Sequence, residues 1–278
     1  MRCSILMVVL FLSVGCGRDL SLDSCWRATD VTIDGDNNEW GECVTYIEDK
    51  DLAVGVMNDD EFVYVLLTTA DREVQRQVTL SGLTVWLDVA NDKKKDFGIR
   101  FPLGVRGGDP PERIREMTER PDPAEMLKRL EERIASMKEF EVIGPHAGNL
   151  RLMDMSETNT IAVALSQIKG TFVYELKMPL RRETDYLYGL GVDPGVTIGI
   201  GLESPEFKVG NLRERMGGEM RGGGPLGGVP GGGGGGRRGG GPPGMGGMRP
   251  GGGAVDRPDP FDVWATVQLA TGSDITSD

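Results

Sequence analysis

Residues 52–69, LAVGVMNDDEFVYVLLTT, give the clearest indication of the fold. Two runs rich in aliphatic, β-branched and aromatic residues, Leu52–Met57 and Phe62–Thr69, are separated by the polar residues 58–61. Runs of this length and composition favour strands, and a short polar connection is typical of a β-hairpin. The stretch therefore predicts two antiparallel strands joined by a tight turn.

Similar short runs recur along the chain on both sides of this hairpin. In residues 83–89, LTVWLDV, aliphatic side chains occupy every second position, as in a strand with one buried face. Further strands are predicted at residues 31–33, 97–101, 150–155, 160–165, 171–178, 196–202 and 262–269. Many short strands connected by turns predict a mainly β protein, an antiparallel β-sandwich of jelly-roll type.

A glycine-rich segment separates the last predicted strand from the others. Between Gly217 and Gly253, 22 of 37 residues are glycine, and such a composition cannot bury enough apolar surface to offset its ordering entropy. A lone strand is unstable, so residues 262–269 must pair with earlier strands. We therefore expect residues 213–256 to be a long disordered loop inserted within one domain, which loop-closure entropy tolerates.

A second insertion is predicted to be helical. Asp122 is a candidate N-cap, followed by Pro123 at the first helical position. Apolar residues then recur at helical spacing as far as about Phe140, with charged residues on the opposite side. We expect this helix to pack on the sheet within an insertion at residues 104–145.

The first sixteen residues have the pattern of a bacterial export signal. Arg2 precedes the apolar run Ile5–Val14, which is shorter than the roughly 20 residues of a permanent membrane span. Residues 12–16, LSVGC, resemble a lipobox, and an ordinary cleaved signal peptide is the alternative interpretation. We expect a membrane-anchored lipoprotein facing the periplasm or cell surface, with a signal peptide at 1–15, a lipid on Cys16, a tether at 16–30 and one sandwich domain at 31–272.

Export determines how the remaining cysteines and the charge are interpreted. Cys25 and Cys43 form an even pair in an oxidising compartment, so a disulfide is expected.

Nucleic acid is not expected as a partner outside the cytoplasm. The net charge of -12 argues against electrostatic binding to anionic membranes, which leaves the lipid anchor as the membrane contact. His146 is the only histidine, so no metal site of sulfur and imidazole ligands is expected.

Several of these runs, taken in order, resemble the family-nine carbohydrate-binding modules and their DOMON-like relatives. The matching segments are Val31–Gly35 with Trp40 five residues on, Asp59–Val65, Val85–Asp88, Phe172–Pro179 and Trp264–Leu269. The resemblance implies an antiparallel β-sandwich, in agreement with the periodicity.

The resemblance also implies a carbohydrate or other extracellular ligand, because sugar-binding members of that family hold a terminal sugar between aromatic side chains. An aromatic face suits the C–H patches of a pyranose ring, while carboxylates and amides bind its hydroxyl groups. Trp40 and Trp86 stand at motif positions that normally pack inside. Trp26 and Trp264 are therefore the candidate ligand-binding residues.

Other interpretations remain open. Asp88, Asn91, Asp92 and Asp96 surround one turn whose oxygens suit Ca²⁺, although three lysines in the same turn favour a solvated loop. The helix and the glycine-rich loop could instead contact envelope proteins, which would make the chain a structural or assembly module. Haem-binding relatives exist, but His146 and scattered methionines give little basis for haem.

No catalytic machinery is predicted. The single histidine lacks a serine elbow around it, and no pair of carboxylates is singled out. We therefore expect a non-catalytic domain without a cofactor.

Overall fold

The computed structural model describes residues 20–27, 29–104, 128, 132–144, 149–158, 160–182, 188–206 and 259–273. Within these ranges, thirteen strands form two sheets that pack face to face as a β-sandwich, as predicted. Across the same ranges no helix has both the length and the apolar character needed to span a bilayer.

The first sheet has seven strands. Their order across the sheet is β1 (Leu20–Asp23), β13 (Phe261–Gln268), β12 (Thr197–Ser204), β6 (Thr84–Asp88), β7 (Gly98–Arg100), β8 (Glu139–Ile143) and β9 (Leu150–Asp154). All neighbours are antiparallel except β1, which runs parallel to β13.

The second sheet has six strands. Its order is β10 (Ala162–Ile168), β11 (Thr171–Pro179), β5 (Phe62–Thr69), β4 (Leu52–Asn58) and β2 (Cys25–Trp26), with β3 (Val44–Ile47) also pairing β4. The hairpin predicted from residues 52–69 is confirmed, because β4 and β5 pair in antiparallel register from Ala53–Thr68 to Asn58–Val63.

The main core lies between the two sheets. Because side chains alternate along a strand, every second residue of β5 and β6 points inward, and Val65, Leu67, Val85 and Leu87 are all nearly inaccessible to solvent. The period-two pattern in residues 83–89 therefore arises from burial of one face of β6.

One helix, α1 (Arg72–Ser81), covers an end of the sandwich. Asp71 caps it by accepting a hydrogen bond from the Val74 backbone N–H at 2.8 Å. The Gln77 amide donates to the carbonyl oxygens of Ser204 and Pro205, which fixes the helix beside the end of β12. The sequence analysis did not predict this helix.

The last strand returns to the sandwich, as the sequence predicted. β13 pairs along its whole length with β12, from Ser204–Phe261 to Thr197–Gln268, and on its other side with β1. The glycine-rich loop predicted at 213–256 thus lies between two neighbouring strands along the chain, but all of it is outside the described residues, and its predicted disorder stays a prediction.

The beginning of the described chain differs from the prediction. We expected residues 16–30 to be a tether and residues 31–33 to form the first strand. Instead β1 and β2 lie in the two sheets, because Leu22 enters the core and Cys25 is joined to Cys43. Residues 31–33 are not a strand: Val31 and Ile33 pack across the outside of the six-stranded sheet.

The helical insertion also ends differently. The helix was predicted to reach about Phe140 and the insertion to reach residue 145, but helix is described only at residue 128 and at 132–136. β8 begins at Glu139, since Phe140 and Val142 alternate into the core and pair with β7 and β9. The predicted helix start at Asp122 lies outside the described residues.

Candidate functional site

The outer faces of the two sheets differ in how they are covered. The outer face of the six-stranded sheet, called here the closed face, lies under residues 29–43, the segment between β2 and β3. Trp40 is 1% exposed and packs there against Met57, Tyr64, Leu66 and Val173. The predicted disulfide between Cys25 and Cys43 is confirmed and joins β2 to the last residue of this segment.

A buried carboxylate holds this covering segment in place. Glu175, fully buried on β11, accepts hydrogen bonds from the Trp40 indole Nε1–H at 2.7 Å, the Gly35 N–H at 2.7 Å and the Asp34 N–H at 3.1 Å. Burial raises the pKa of the Glu175 carboxyl, and these three donors oppose that rise. The motif residues Asp34, Gly35 and Trp40 therefore all donate to one carboxylate. Their spacing in the sequence has a structural reason, because it lets all three reach that acceptor.

The outer face of the seven-stranded sheet, called here the open face, carries two of the four tryptophans. Trp264 on β13 and Trp86 on β6 both stand opposite Gly201 of the intervening strand β12. A Cβ atom at residue 201 would come within 2.8 Å of the Trp264 ring, so the indole lies directly against the backbone of β12. One face of the Trp264 ring is thus packed on the sheet, and the residue as a whole is only partly buried.

Three charged side chains stand beside this ring. Lys95 Nζ lies 3.0 Å from Glu203 Oε1 and 2.8 Å from Asp262 Oδ2, and Glu203 Oε2 accepts a hydrogen bond from Trp86 Nε1 at 2.7 Å. The Asp262 side chain is about half exposed, while Lys95 and Glu203 are more covered. We call the group formed by Trp264, Gly201, Lys95, Glu203 and Asp262 the Trp264 platform.

The platform keeps Lys95 charged. Burial alone lowers the pKa of the Lys95 ammonium, but the hydrogen bonds to Asp262 and Glu203 outweigh that effect and raise it. One ammonium between two carboxylates gives three groups that can donate to or accept from a polar ligand.

The turn at residues 88–96, which contains the candidate calcium ligands, folds over the open face. Asn91 lies above Gly199, where a Cβ atom would be 3.2 Å from Asn91 Oδ1, and this oxygen accepts a hydrogen bond from the Thr266 hydroxyl at 3.2 Å. The structure therefore brings the turn and Trp264 together, since Thr266 is the next outward residue of β13.

The acidic groups of that turn are engaged by the turn itself. The Asp88 carboxylate accepts hydrogen bonds from the N–H groups of Ala90, Asp92 and Lys94, and Asp92 pairs with Lys94. Asp96 lies in the same turn and is exposed. Among the described residues, no three Asp, Glu, Cys or His side chains converge as a metal site. These contacts hold Asp88 and Asp92 within the turn, and the solvated-loop and calcium interpretations both stay predictions.

Trp26 lies apart from Trp264. It belongs to β2 of the other sheet, and its ring packs beside Gly272. The structure thus separates the two predicted ligand-binding tryptophans. Trp86, expected inside, is 8% exposed but belongs to the open face rather than to the core between the sheets. Cys16 and His146 lie outside the described residues.

Lys95 and Glu203 were not predicted from the sequence. One signal was available in β12, TIGIGLES, where Gly199 and Gly201 occupy successive outward positions. Glycine within a strand marks a close approach by another group, and here those groups are Asn91 and Trp264. Lys95 reaches the platform only because the turn folds back over the sheet, which the pattern of residues 83–101 does not reveal.

The chain is similar to two solved structures of carbohydrate-binding modules. No protein-family model matches the chain, and no curated protein matches it. A family 9 carbohydrate-binding module from Caldicellulosiruptor kristjanssonii in complex with glucose is similar at 10% identity and a TM-score of 0.35, covering 69% of this chain and 81% of that one. A family 9 module from the same organism in complex with cellotriose is similar at 10% identity and a TM-score of 0.30, covering 66% and 74%.

Family-nine modules, which the sequence resembles, are thus among the solved structures to which this chain is similar. At such low TM-scores, no residue's role is transferred from these modules to this chain.

Proposed function

We propose that this chain is an exported lipoprotein whose sandwich binds carbohydrate, without catalysis, at the Trp264 platform. The observation that carries the proposal is the Trp264 ring, which packs on Gly201, while Asp262 and Glu203 occupy the next outward position of the same ladder and pair with Lys95. A pyranose ring offers C–H groups on its face and hydroxyl groups at its edge, and the platform offers a complementary surface for each.

The charges of the platform favour a neutral saccharide. Lys95 compensates one of the two carboxylates, so the group keeps one net negative charge. A uronic acid would bring a second negative charge beside Asp262 and Glu203 and would be repelled. Neutral hydroxyl groups can donate to the carboxylates and accept from the ammonium at once.

Alanine substitution of each candidate tryptophan tests the proposal. We expect Trp264→Ala to weaken saccharide binding by about 30-fold or more, as for a central aromatic contact. Trp26→Ala is the matched control and should retain wild-type affinity. Calorimetric titration of the purified protein with a panel that includes glucose, cellotriose and a uronic-acid oligosaccharide measures the effect.

Thermal unfolding of both variants provides the folding control. If the folded Trp264→Ala variant keeps wild-type affinity, the platform is not the site. If no saccharide binds the wild type, carbohydrate binding itself is wrong.

Export and lipid attachment have a separate test. We expect radioactive palmitate to label the wild-type chain and not Cys16→Ala, because the cysteine sulfur would carry the lipid. Label that survives this substitution would overturn the anchor assignment.

An envelope assembly module is the second candidate function. Leu150 and Leu152 on the edge strand β9 are 58% and 40% exposed on the open face, at the opposite side of the sheet from β13. Envelope pull-down with Leu150→Asp and with a deletion of residues 217–253 tests this candidate. Partners lost in either variant would favour it, and unchanged partners in both would remove these two regions from it.

A further inference from the structure

The register of β1 places the start of the described chain next to the candidate site. Leu20 pairs with Ala265 of β13, so Leu20 lies one strand away from the residue that follows Trp264. Neighbouring strands are about 4.8 Å apart, and consecutive Cα atoms are about 3.8 Å apart. The Cα atoms of Leu20 and Trp264 are therefore within about 9 Å of each other.

The predicted lipid-bearing residue is only four positions before Leu20. Gly17, Arg18 and Asp19 lie between Cys16 and Leu20, and four fully extended steps of chain span at most about 14 Å. Together with the strand geometry, this limits the Cα atoms of Cys16 and Trp264 to a separation of at most about 23 Å. The Trp264 platform cannot move further than this from the anchor while β1 stays paired.

We propose that the Trp264 platform binds saccharide headgroups carried by the same membrane that holds the anchor of this chain. The proposal rests on the proposed function, both on carbohydrate binding at Trp264 and on a lipid at Cys16. A glycolipid headgroup projects from the bilayer into the layer that the short connection allows the platform to sample. A polymer held far above the membrane would lie beyond it.

The short connection acts by raising local concentration. Two groups confined to one surface meet far more often than the same groups in solution, and lengthening a flexible link dilutes this effect steeply. The net charge of -12 provides no electrostatic attraction to an anionic bilayer. Headgroup binding would therefore depend on the length of the link rather than on charge.

The test compares link lengths in the full, lipidated chain on vesicles. The vesicles contain phosphatidylethanolamine and phosphatidylglycerol, with or without glucosyldiacylglycerol, and soluble fluorescent cellotriose reports the free sites. One variant carries a Gly/Ser linker of about 30 residues between Asp19 and Leu20. The control carries the same linker after Asp278, which adds equal mass without lengthening the link.

For the wild type and the control, we expect glucosyldiacylglycerol to raise the apparent Kd of cellotriose by roughly tenfold through competition. The variant with the longer link should show a shift several times smaller. An equal shift in all three chains, or no shift in a wild type that binds cellotriose, would overturn the inference.

The premises fail in distinguishable ways. Absence of cellotriose binding on every vesicle would contradict carbohydrate binding for this probe, and a chain that washes off the vesicles would contradict lipid attachment. Both results differ from equal shifts in the apparent Kd of cellotriose, which would overturn the headgroup inference and leave the two premises intact.

Discussion

The closed and open faces use the same polar pair in different settings. On the closed face the Trp40 indole donates to Glu175, and on the open face the Trp86 indole donates to Glu203, both at 2.7 Å. Glu175 is fully buried and its other donors are backbone N–H groups of the covering segment. Glu203 is partly exposed and its other partner is the Lys95 ammonium.

The two carboxylates therefore have different roles. Backbone donors tie Glu175 to a piece of chain, so the pair on the closed face fastens one segment over another. A side-chain ammonium leaves Glu203 at the surface, so the pair on the open face presents charge beside an aromatic ring. The same indole–carboxylate contact therefore stabilises the fold on one face and shapes a candidate binding surface on the other.

The strongest test of the comparison removes each carboxylate in turn. Glu175→Ala leaves three donors without an acceptor, two of them buried, and opens a cavity. We therefore expect it to lower the free energy of unfolding by about 3–5 kcal/mol. Glu203→Ala should cost about 1 kcal/mol or less, because water can reach its partners. Urea unfolding monitored by tryptophan fluorescence measures both, and equal losses would erase the distinction between the faces.

Removal of the disulfide tests the covering segment alone. Cys25 and Cys43 are 18 residues apart, and a loop of this size predicts a loss of about 3 kcal/mol in the Cys25→Ser/Cys43→Ser variant. Below the unfolding transition, saccharide affinity should stay at the wild-type level because the open face does not involve these residues. A selective loss of affinity without loss of stability would contradict the separation of the two faces.

A glycine substitution tests the open face. Gly201→Ala places a methyl group against the Trp264 ring, which must lift from the sheet. We expect roughly tenfold weaker saccharide binding and a loss of about 1–2 kcal/mol in stability from the forced displacement. The neighbouring Ile200→Val faces the core, so it should lower stability by about 1 kcal/mol with unchanged affinity; calorimetry and urea unfolding together separate the two outcomes.

The smallest expected effect is a dependence on pH. The pKa of Glu175 is raised in the folded state by burial, so its contribution to stability is fully present below the ordinary glutamate pKa and is lost as pH rises through the folded value. The free energy of unfolding of the wild type minus that of Glu175→Gln should therefore fall as pH increases above about 4.5. If this difference instead rises over the same pH interval, the hydrogen-bond donors lower the pKa of Glu175 by more than burial raises it.

Much of the fold was predictable because local pattern and burial agree in it. The alternation in residues 83–89 and the hairpin at 52–69 report strands with one face in the core, and the isolated run at 262–269 had to pair with earlier strands. The runs at 20–26 and 139–143 were missed because each is short and lies beside a stronger local signal: the predicted anchor in one case and the predicted helix in the other. The strands at 20–26 pair with partners far along the chain, which no local window contains, whereas β8 pairs both with the distant β7 and with β9 close by.

The candidate site was predictable only in part. Trp264 was selected from its position, but its partners were not, because Lys95 is brought to Glu203 and Asp262 by a turn that folds over the sheet. Trp86 was expected inside since its motif position is usually buried. It is buried, yet on the outer face of a sheet rather than between the two sheets, a distinction that alternation alone does not make.

The pairing of Ser204 with Phe261 has a practical consequence. The pairing of β12 with β13 holds the two ends of residues 205–260 next to each other, independently of the conformation of those residues. Such a junction tolerates new termini or foreign inserts. It is therefore the natural place to cut the chain for circular permutation or to graft a reporter domain without disturbing the sandwich.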